Sequence, residues 1–210
     1  MARYNEANRQ KHERRGWIAR WHLQSVLEVI YKLVAHTDPA TVLDAGCGEG
    51  FVTDYLNRRN PELSVTGIDL SAEAVAYARL RFGHAAEFKI GSVLELPYAD
   101  RSFDTVVCSE VLEHIPEHEV AMGELKRVAR NAVVISVPNE PYFKWLNDIA
   151  RAIRFSQDPG HVNFWTHRQF RRYMRSHFAH PQFSRKHIMY QFAVASLRPD
   201  ESWRGQLAYS

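Results

Sequence analysis

The residues best equipped for chemistry fall in two short runs. The first is Asp44-Ala45-Gly46-Cys47-Gly48-Glu49-Gly50, three glycines at alternate positions behind the apolar pair Val42-Leu43. Glycine opens left-handed backbone angles for a tight turn and lets the backbone come close to a ligand lying across strand ends. Asp44, at the end of the apolar run, can orient that turn or meet a ligand ammonium. Roughly 20 residues further on, Gly67-Ile68-Asp69-Leu70-Ser71 ends another apolar run on an acid, where a carboxylate can accept both hydroxyls of a ribose. The glycine spacing is GxGxG, and Phe51 stands where the third glycine of GxGxxG would fall. That argues against a nicotinamide dinucleotide, whose pyrophosphate needs the closer approach.

The second run is Glu110-Val111-Leu112-Glu113-His114. In a helical turn, positions i, i+3 and i+4 share one face, so the spacing predicts that two carboxylates and an imidazole converge. Such a set suits a divalent cation. It serves equally as a general base with orienting acids, and packed, hydrogen-bonded residues are the structural alternative.

The surrounding elements must place both runs at one edge. Residues 17–35 carry Leu23, Val26, Leu27, Ile30, Leu33 and Val34 at helical spacing, and Asp38-Pro39 ends that helix. Strands are then expected at 41–45, 63–69, 86–90, 104–109 and 132–137, the last stopped by Pro138. Helices are expected at 50–59, 71–82 (capped by Ser71) and 117–129. Strict alternation of strand and helix implies a parallel sheet with helices on both faces. Further helices are expected at 142–154 and 166–177. Two β-like runs, 182–188 and 191–197, would form an antiparallel hairpin at the sheet edge. The fold expected is thus α/β: a Rossmann-like, mostly parallel sheet of seven strands. The expected organisation is a helical extension over 1–38, a single domain over 39–198 with a substrate-side lid at 139–180, and a polar tail over 199–210.

Composition is that of an ordinary globular protein, 45% hydrophobic and 24% charged over 210 residues. Cys47 and Cys108 form no metal-binding pair and read as reduced thiols of a cytoplasmic protein. The longest strongly apolar run, 132–137, is far short of the ~20 residues of a membrane span. The net charge of +3 hides an asymmetry: residues 23–143 hold ten Lys/Arg against eighteen acids, and residues 144–198 ten against two. The basic flanks read either as solvated helix faces or as a receiver for an anionic substrate, a membrane surface or RNA. The segment 143–154, apolar on one face and basic on the other, is either a lid or a peripheral membrane contact.

Taken together, DAGCGEG, GIDLS, LPYADRSFD and VVCSEVLEHI resemble the class I S-adenosylmethionine (SAM)-dependent methyltransferases, in particular the type 11 group, across residues 40–140. The resemblance implies that Asp44, Gly46, Cys47 and Gly48 line the methionine end of SAM and that Asp69 holds the ribose. Leu70, Ser92, Val93 and Ser109 complete the expected cofactor contacts. Where the family usually has an acid for the adenine amino group, this chain has Gly91-Ser92-Val93, so a hydroxyl and a backbone edge stand in. The stretch 158–166, Asp-Pro-Gly-His-Val-Asn-Phe-Trp-Thr, also resembles a segment of metal-dependent small-RNA ribose 2′-O-methyltransferases and, more loosely, of ubiquinone-pathway O-methyltransferases. By that resemblance Glu110, Glu113, His114 and His161 would hold a cation; without one, His114 would be the base, oriented by Glu113 or Glu110. The implied reaction is methyl transfer to an oxygen or nitrogen of a small-molecule or lipid-linked acceptor. The alternatives are a metal-dependent RNA ribose 2′-O-methyltransferase and a SAM-binding protein without catalysis.

Overall fold

The structure is a computed structural model that describes residues 17–140, 161–184 and 186–198. The expected helix at 142–154 and the polar tail lie outside these residues. In chain order the elements are α1 (Trp17–His36), β1 (Thr41–Ala45), α2 (Phe51–Arg59), β2 (Ser64–Asp69), α3 (Ala72–Phe82), β3 (Glu87–Ile90) and β4 (Phe103–Ser109). A single 3-10 turn (Leu112–His114) follows, then α4 (His118–Val128), β5 (Ala129–Pro138), α5 (His167–His177), β6 (Gln182–Ser184) and β7 (Tyr190–Ser196).

These strands make one seven-stranded sheet in the order β3-β2-β1-β4-β5-β7-β6. The first five are parallel, and β7 runs antiparallel to both β5 and β6. The alternation of strand residues builds the layers, because successive side chains leave opposite faces. Leu43, Val106, Cys108, Val133 and Ile135 enter one core with Met122 and Leu125 of α4 and Phe170 and Met174 of α5. Their neighbours Val42, Val107 and Val134 enter the other, with Ile30, Leu33 and Val34 of α1 and Leu56 of α2. The uninterrupted apolar runs of β4 and β5 are therefore those of strands covered on both sides.

Boundaries depart from the sequence reading in two places. The run expected to pair through residue 188 pairs only as far as Ser184. β5 is longer than expected and includes Pro138, opposite Tyr190 at the strand's last position, where a missing N–H costs little. The expected cap is present, the Ser71 hydroxyl accepting from the Ala74 N–H, and Thr166 with Gln169 adds a reciprocal capping box on α5.

Strand β1 pairs with β2 on one side and β4 on the other, so the strand order reverses between β1 and β4. In open α/β sheets the ligand crevice lies outside the carboxyl ends of the strands at such a switch point. The glycine turn leaves β1 there, and Glu110 to His114 leave β4 beside it.

Candidate active site

The glycine turn is locked to β2. The N–H groups of Gly46 and Cys47 both donate to the Ile68 carbonyl, at 2.8 and 3.0 Å. Gly46 has φ +82°, and a Cβ there would stand 2.3 Å from a Val111 methyl. Gly48 is also left-handed, at φ +52°, but a Cβ on it would meet nothing within 4 Å, so it borders open space. Its N–H donates to Asp69 Oδ2 at 2.8 Å, while Oδ1 accepts from the Ser71 N–H at 2.8 Å. Asp69 is thereby fixed with lone pairs left for hydroxyl donors. Asp44 is buried beneath the turn and accepts from the Thr53 hydroxyl of α2 at 2.6 Å. Burial raises its carboxyl to about 6, with nearby Asp69 adding to the shift and Thr53 opposing it. Cys47 and Cys108 are buried thiols pushed upward chiefly by burial, which suits inert packing.

On the adenine side of the expected cofactor site, Leu70 is exposed and Val93 is buried. The Ser92 hydroxyl accepts from the Leu94 N–H at 3.1 Å. A residue not singled out from the sequence holds this loop. Arg127 of α4 donates to the carbonyls of Leu96 and Tyr98, at 2.9 and 2.7 Å, and its partner Glu124 accepts from the Leu96 N–H at 2.8 Å.

The turn after β4 differs from the shared helical face expected. Glu110 sits at φ +59°, a costly angle for any residue with a Cβ, and the helical turn begins only at Leu112. The Glu110 carboxyl accepts from the Ser136 hydroxyl at 3.2 Å, and Ser136 in turn shares a hydrogen bond with Ser109 at 2.8 Å. Burial, then the charge of Glu113, raises Glu110 well above the ordinary carboxyl range, with Ser136 pulling it back. Glu110 thus turns toward β5, outside the cluster that its neighbours form.

That cluster is Glu113, His114 and His161, whose ligand atoms all lie within 4.8 Å of one another. Glu113 is 1% exposed, and neither carboxylate oxygen accepts a hydrogen bond from another described residue. Burial pushes it up to about 8. Its Oε1 lies 4.0 Å from His114 Nε2, and His114 is exposed at the mouth. The His114 and His161 rings meet edge to face with centroids 4.9 Å apart.

Sequence spacing alone does not explain how His161 reaches this turn from far along the chain. Asn163 does. Its side-chain amide donates to the carbonyls of Leu112 and Ile115, at 2.9 and 2.6 Å. The Glu113 carbonyl accepts from the N–H groups of Val162 and Asn163, at 2.8 and 3.0 Å. Four hydrogen bonds therefore staple the segment bearing His161 onto the turn bearing Glu113 and His114.

A buried, unpartnered carboxylate with two imidazoles in reach fits a divalent cation: hard oxygen and borderline nitrogen donors at a site where the carboxylate needs a positive partner. The glycine turn and Asp69 likewise fit a ribonucleoside ligand, with space open above Gly48.

A parallel sheet reversing between β1 and β4, a glycine turn after β1 and an acid after β2 define the Rossmann-like methyltransferase class. Comparison with known proteins agrees. Residues 43–137 match the family described as "Methyltransferase domain". A probable S-adenosylmethionine-dependent methyltransferase of Mycolicibacterium smegmatis is 34% identical over 119 residues, covering 55% of this chain and 45% of that one. A ubiquinone biosynthesis O-methyltransferase of Alkalilimnicola ehrlichii is 34% identical over 111 residues, covering 50% and 43%. Among solved structures, the methyltransferase domain of bacterial CtHen1 superposes with a TM-score of 0.67 at 21% identity, over 83% of this chain and 97% of that one. Residues 43–137 are thus similar to the methyltransferase domain family, and the chain spans less than half the length of these two curated relatives.

Proposed function

We propose that the protein is a SAM-dependent O-methyltransferase that acts on a hydroxyl of a small-molecule or lipid-linked acceptor. The observation that carries this reading is Glu113, buried and with no hydrogen bond to either oxygen from another described residue, beside His114 and His161 at the ligand edge of β4. Oxygen is favoured over nitrogen as the acceptor atom because a hydroxyl needs its proton removed, and this cluster is built of groups that do so. Similarity to an O-methyltransferase of ubiquinone biosynthesis points the same way.

In this reading Asp44, Gly46, Cys47, Gly48 and Asp69 seat SAM, with the loop held by Arg127 closing the adenine side. SAM supplies an activated methyl on sulfonium sulfur. The acceptor oxygen attacks it in line, the C–S bond breaks as the O–C bond forms, and with no cation in the cluster the acceptor proton passes to the His114 imidazole. Glu113, whose Oε1 lies 4.0 Å from His114 Nε2, then stabilises the imidazolium. Alignment of the two reactants contributes most of the rate, up to ~7–11 kcal/mol for well-oriented groups. Glu113, His114 and His161 would hold a divalent cation, which when bound lowers the pKa of the acceptor hydroxyl. Glu110 shapes the turn from outside this set.

The test measures Mn²⁺ binding by calorimetry alongside adenosylhomocysteine release with a panel of phenols, hydroxy acids and lipid alcohols. Glu113→Gln and His161→Ala are expected to weaken Mn²⁺ about 10–100-fold and to suppress turnover, leaving adenosylhomocysteine affinity unchanged. Unaltered Mn²⁺ binding in both variants would remove the cation, and full turnover in both would remove the cluster from the reaction.

A second reading, methylation of an RNA ribose 2′-hydroxyl, is favoured by one observation: α5 exposes Arg168, Arg172 and Arg175, and Arg172 lines a groove with Val162 to Trp165, which follow His161 in the chain.

A further inference from the structure

A groove of about 490 Å³ lies between the segment carrying His161 and helix α5. That is the size of a small-molecule site, ~300–1,000 Å³. Its apolar wall is Val162 and Phe164, each 52% exposed, and Trp165, whose ring stacks on Tyr173 at 5.6 Å and 28°. Large apolar side chains left half in water, side by side, mark a contact surface. The opposite wall is the α5 stripe that presents Arg172, with Gln169 and Ser176 as further polar groups.

Two features say what fits. Among the described residues, no acid lines the groove and Arg172 makes no ion pair. Its guanidinium is a free fork for an oxyanion, the geometry arginine binds best. The wall of the groove adjoins the cluster: the Phe164 ring lies 6.2 Å from that of His161, which lies 4.9 Å from that of His114. A ligand long enough to extend from the groove past Phe164 would bring its other end to the groups that would take its proton.

We propose that this groove anchors the methyl acceptor, binding a flat or aliphatic body against Phe164 and Trp165 and a carboxylate or phosphate on Arg172, so that the acceptor is an amphipathic oxyanion bearing a hydroxyl. This rests on the reading of Glu113, His114 and His161 as the acceptor-activating cluster. It makes the groove the specificity element, because a buried aromatic contact and a paired anion discriminate together where either alone does not.

Calorimetry on the full chain with adenosylhomocysteine present tests it, using 1-naphthyl phosphate, 1-naphthol and inorganic phosphate as probes. 1-Naphthyl phosphate is expected to bind at least tenfold more tightly than either of its parts. Arg172→Gln should reduce it to the level of 1-naphthol, Phe164→Ala should reduce it to the level of phosphate, and Arg168→Gln should leave it unchanged. Equal binding of inorganic phosphate, silence of Arg172→Gln, or an equal loss from Arg168→Gln would overturn the proposal. Tighter binding of a short single-stranded RNA than of 1-naphthyl phosphate would also overturn it, in favour of a polyanion track. Glu113→Gln separates the two readings. It should weaken Mn²⁺ binding about 10–100-fold and keep probe affinity within twofold. If instead it keeps Mn²⁺, the cluster falls and the result at Arg172 stands.

Discussion

Two carboxylates at the same edge of the sheet are treated in opposite ways. Asp69, after β2, accepts from two backbone N–H groups, and the turn it faces is tied by two more to the Ile68 carbonyl. Glu113, after β4, is more deeply buried and accepts from no other described residue. In the proposed reading, the cofactor half of the crevice is complete in itself, a preformed receptor made mostly of backbone. The acceptor half is then built with a deficit that a cation, a protonated imidazole or a bound acceptor would fill. Preorganisation of the half common to the class, and an unsatisfied group in the half that does the particular chemistry, is the pattern expected where stability is given up at a reacting centre.

That contrast is sharpened most by a glycine. Gly46→Ala should cost about 3–4 kcal/mol, by adding the strain of a side chain at φ +82° to a collision 2.3 Å from Val111. Urea unfolding should show it, and adenosylhomocysteine affinity should fall with it. Gly48→Ala keeps the strain of φ +52° but meets no such collision, so it should cost only about 1–2 kcal/mol and show a larger loss in ligand affinity. Equal effects of the two substitutions on stability would erase the difference between the two glycines.

The acceptor half responds in the other direction. Replacing Glu113 by Met removes two buried oxygens without partners, each a desolvation cost of order 1 kcal/mol or more. Glu113→Met should therefore be about 2 kcal/mol more stable than the parent chain in chelator-treated buffer, while losing its response to Mn²⁺. The matching substitution Asp69→Met should destabilise, since it strands the N–H groups of Gly48 and Ser71. Stabilisation at both positions, or at neither, would erase the distinction.

How much of this was legible before the fold was seen follows the same division. The cofactor half was readable because its devices are local. Glycines at alternate positions, an acid ending an apolar run and a serine cap each act within a few residues, and apolar runs of strand length imposed the alternating sheet. The acceptor half depends on contacts over long separations. The spacing of Glu110, Glu113 and His114 suggested one helical face. A left-handed Glu110 and its bond to Ser136, on a different strand, undo that face. Thr53 beneath Asp44 and Arg127 beneath the adenine-side loop escaped notice because an unremarkable threonine or arginine within a helix carries no pattern until its partners are placed. The pairing of residues 182–184 alone, where seven were expected, reflects where β7 ends its partnership rather than any break in β propensity.

The smallest of the expected effects tests the least legible residue. Asn163 contributes nothing to a motif, yet its amide spans the 3-10 turn by donating to Leu112 and Ile115. In Asn163→Ala both carbonyls lose a side-chain donor, at about 1 kcal/mol each, so the global loss should be near 2 kcal/mol. Asn163→Asp offers acceptors where donors are needed and should be worse than Ala despite its matching shape. A purely structural brace would lower stability and leave the chemistry of the survivors intact. A positioning residue for His161 predicts more: in folded Asn163→Ala at low temperature, Mn²⁺ affinity should fall about tenfold while adenosylhomocysteine affinity holds, because only the acceptor half has lost its staple. Parallel losses of both ligands would mean that the two halves of the crevice are not separately built, and the comparison between Asp69 and Glu113 would fail with them.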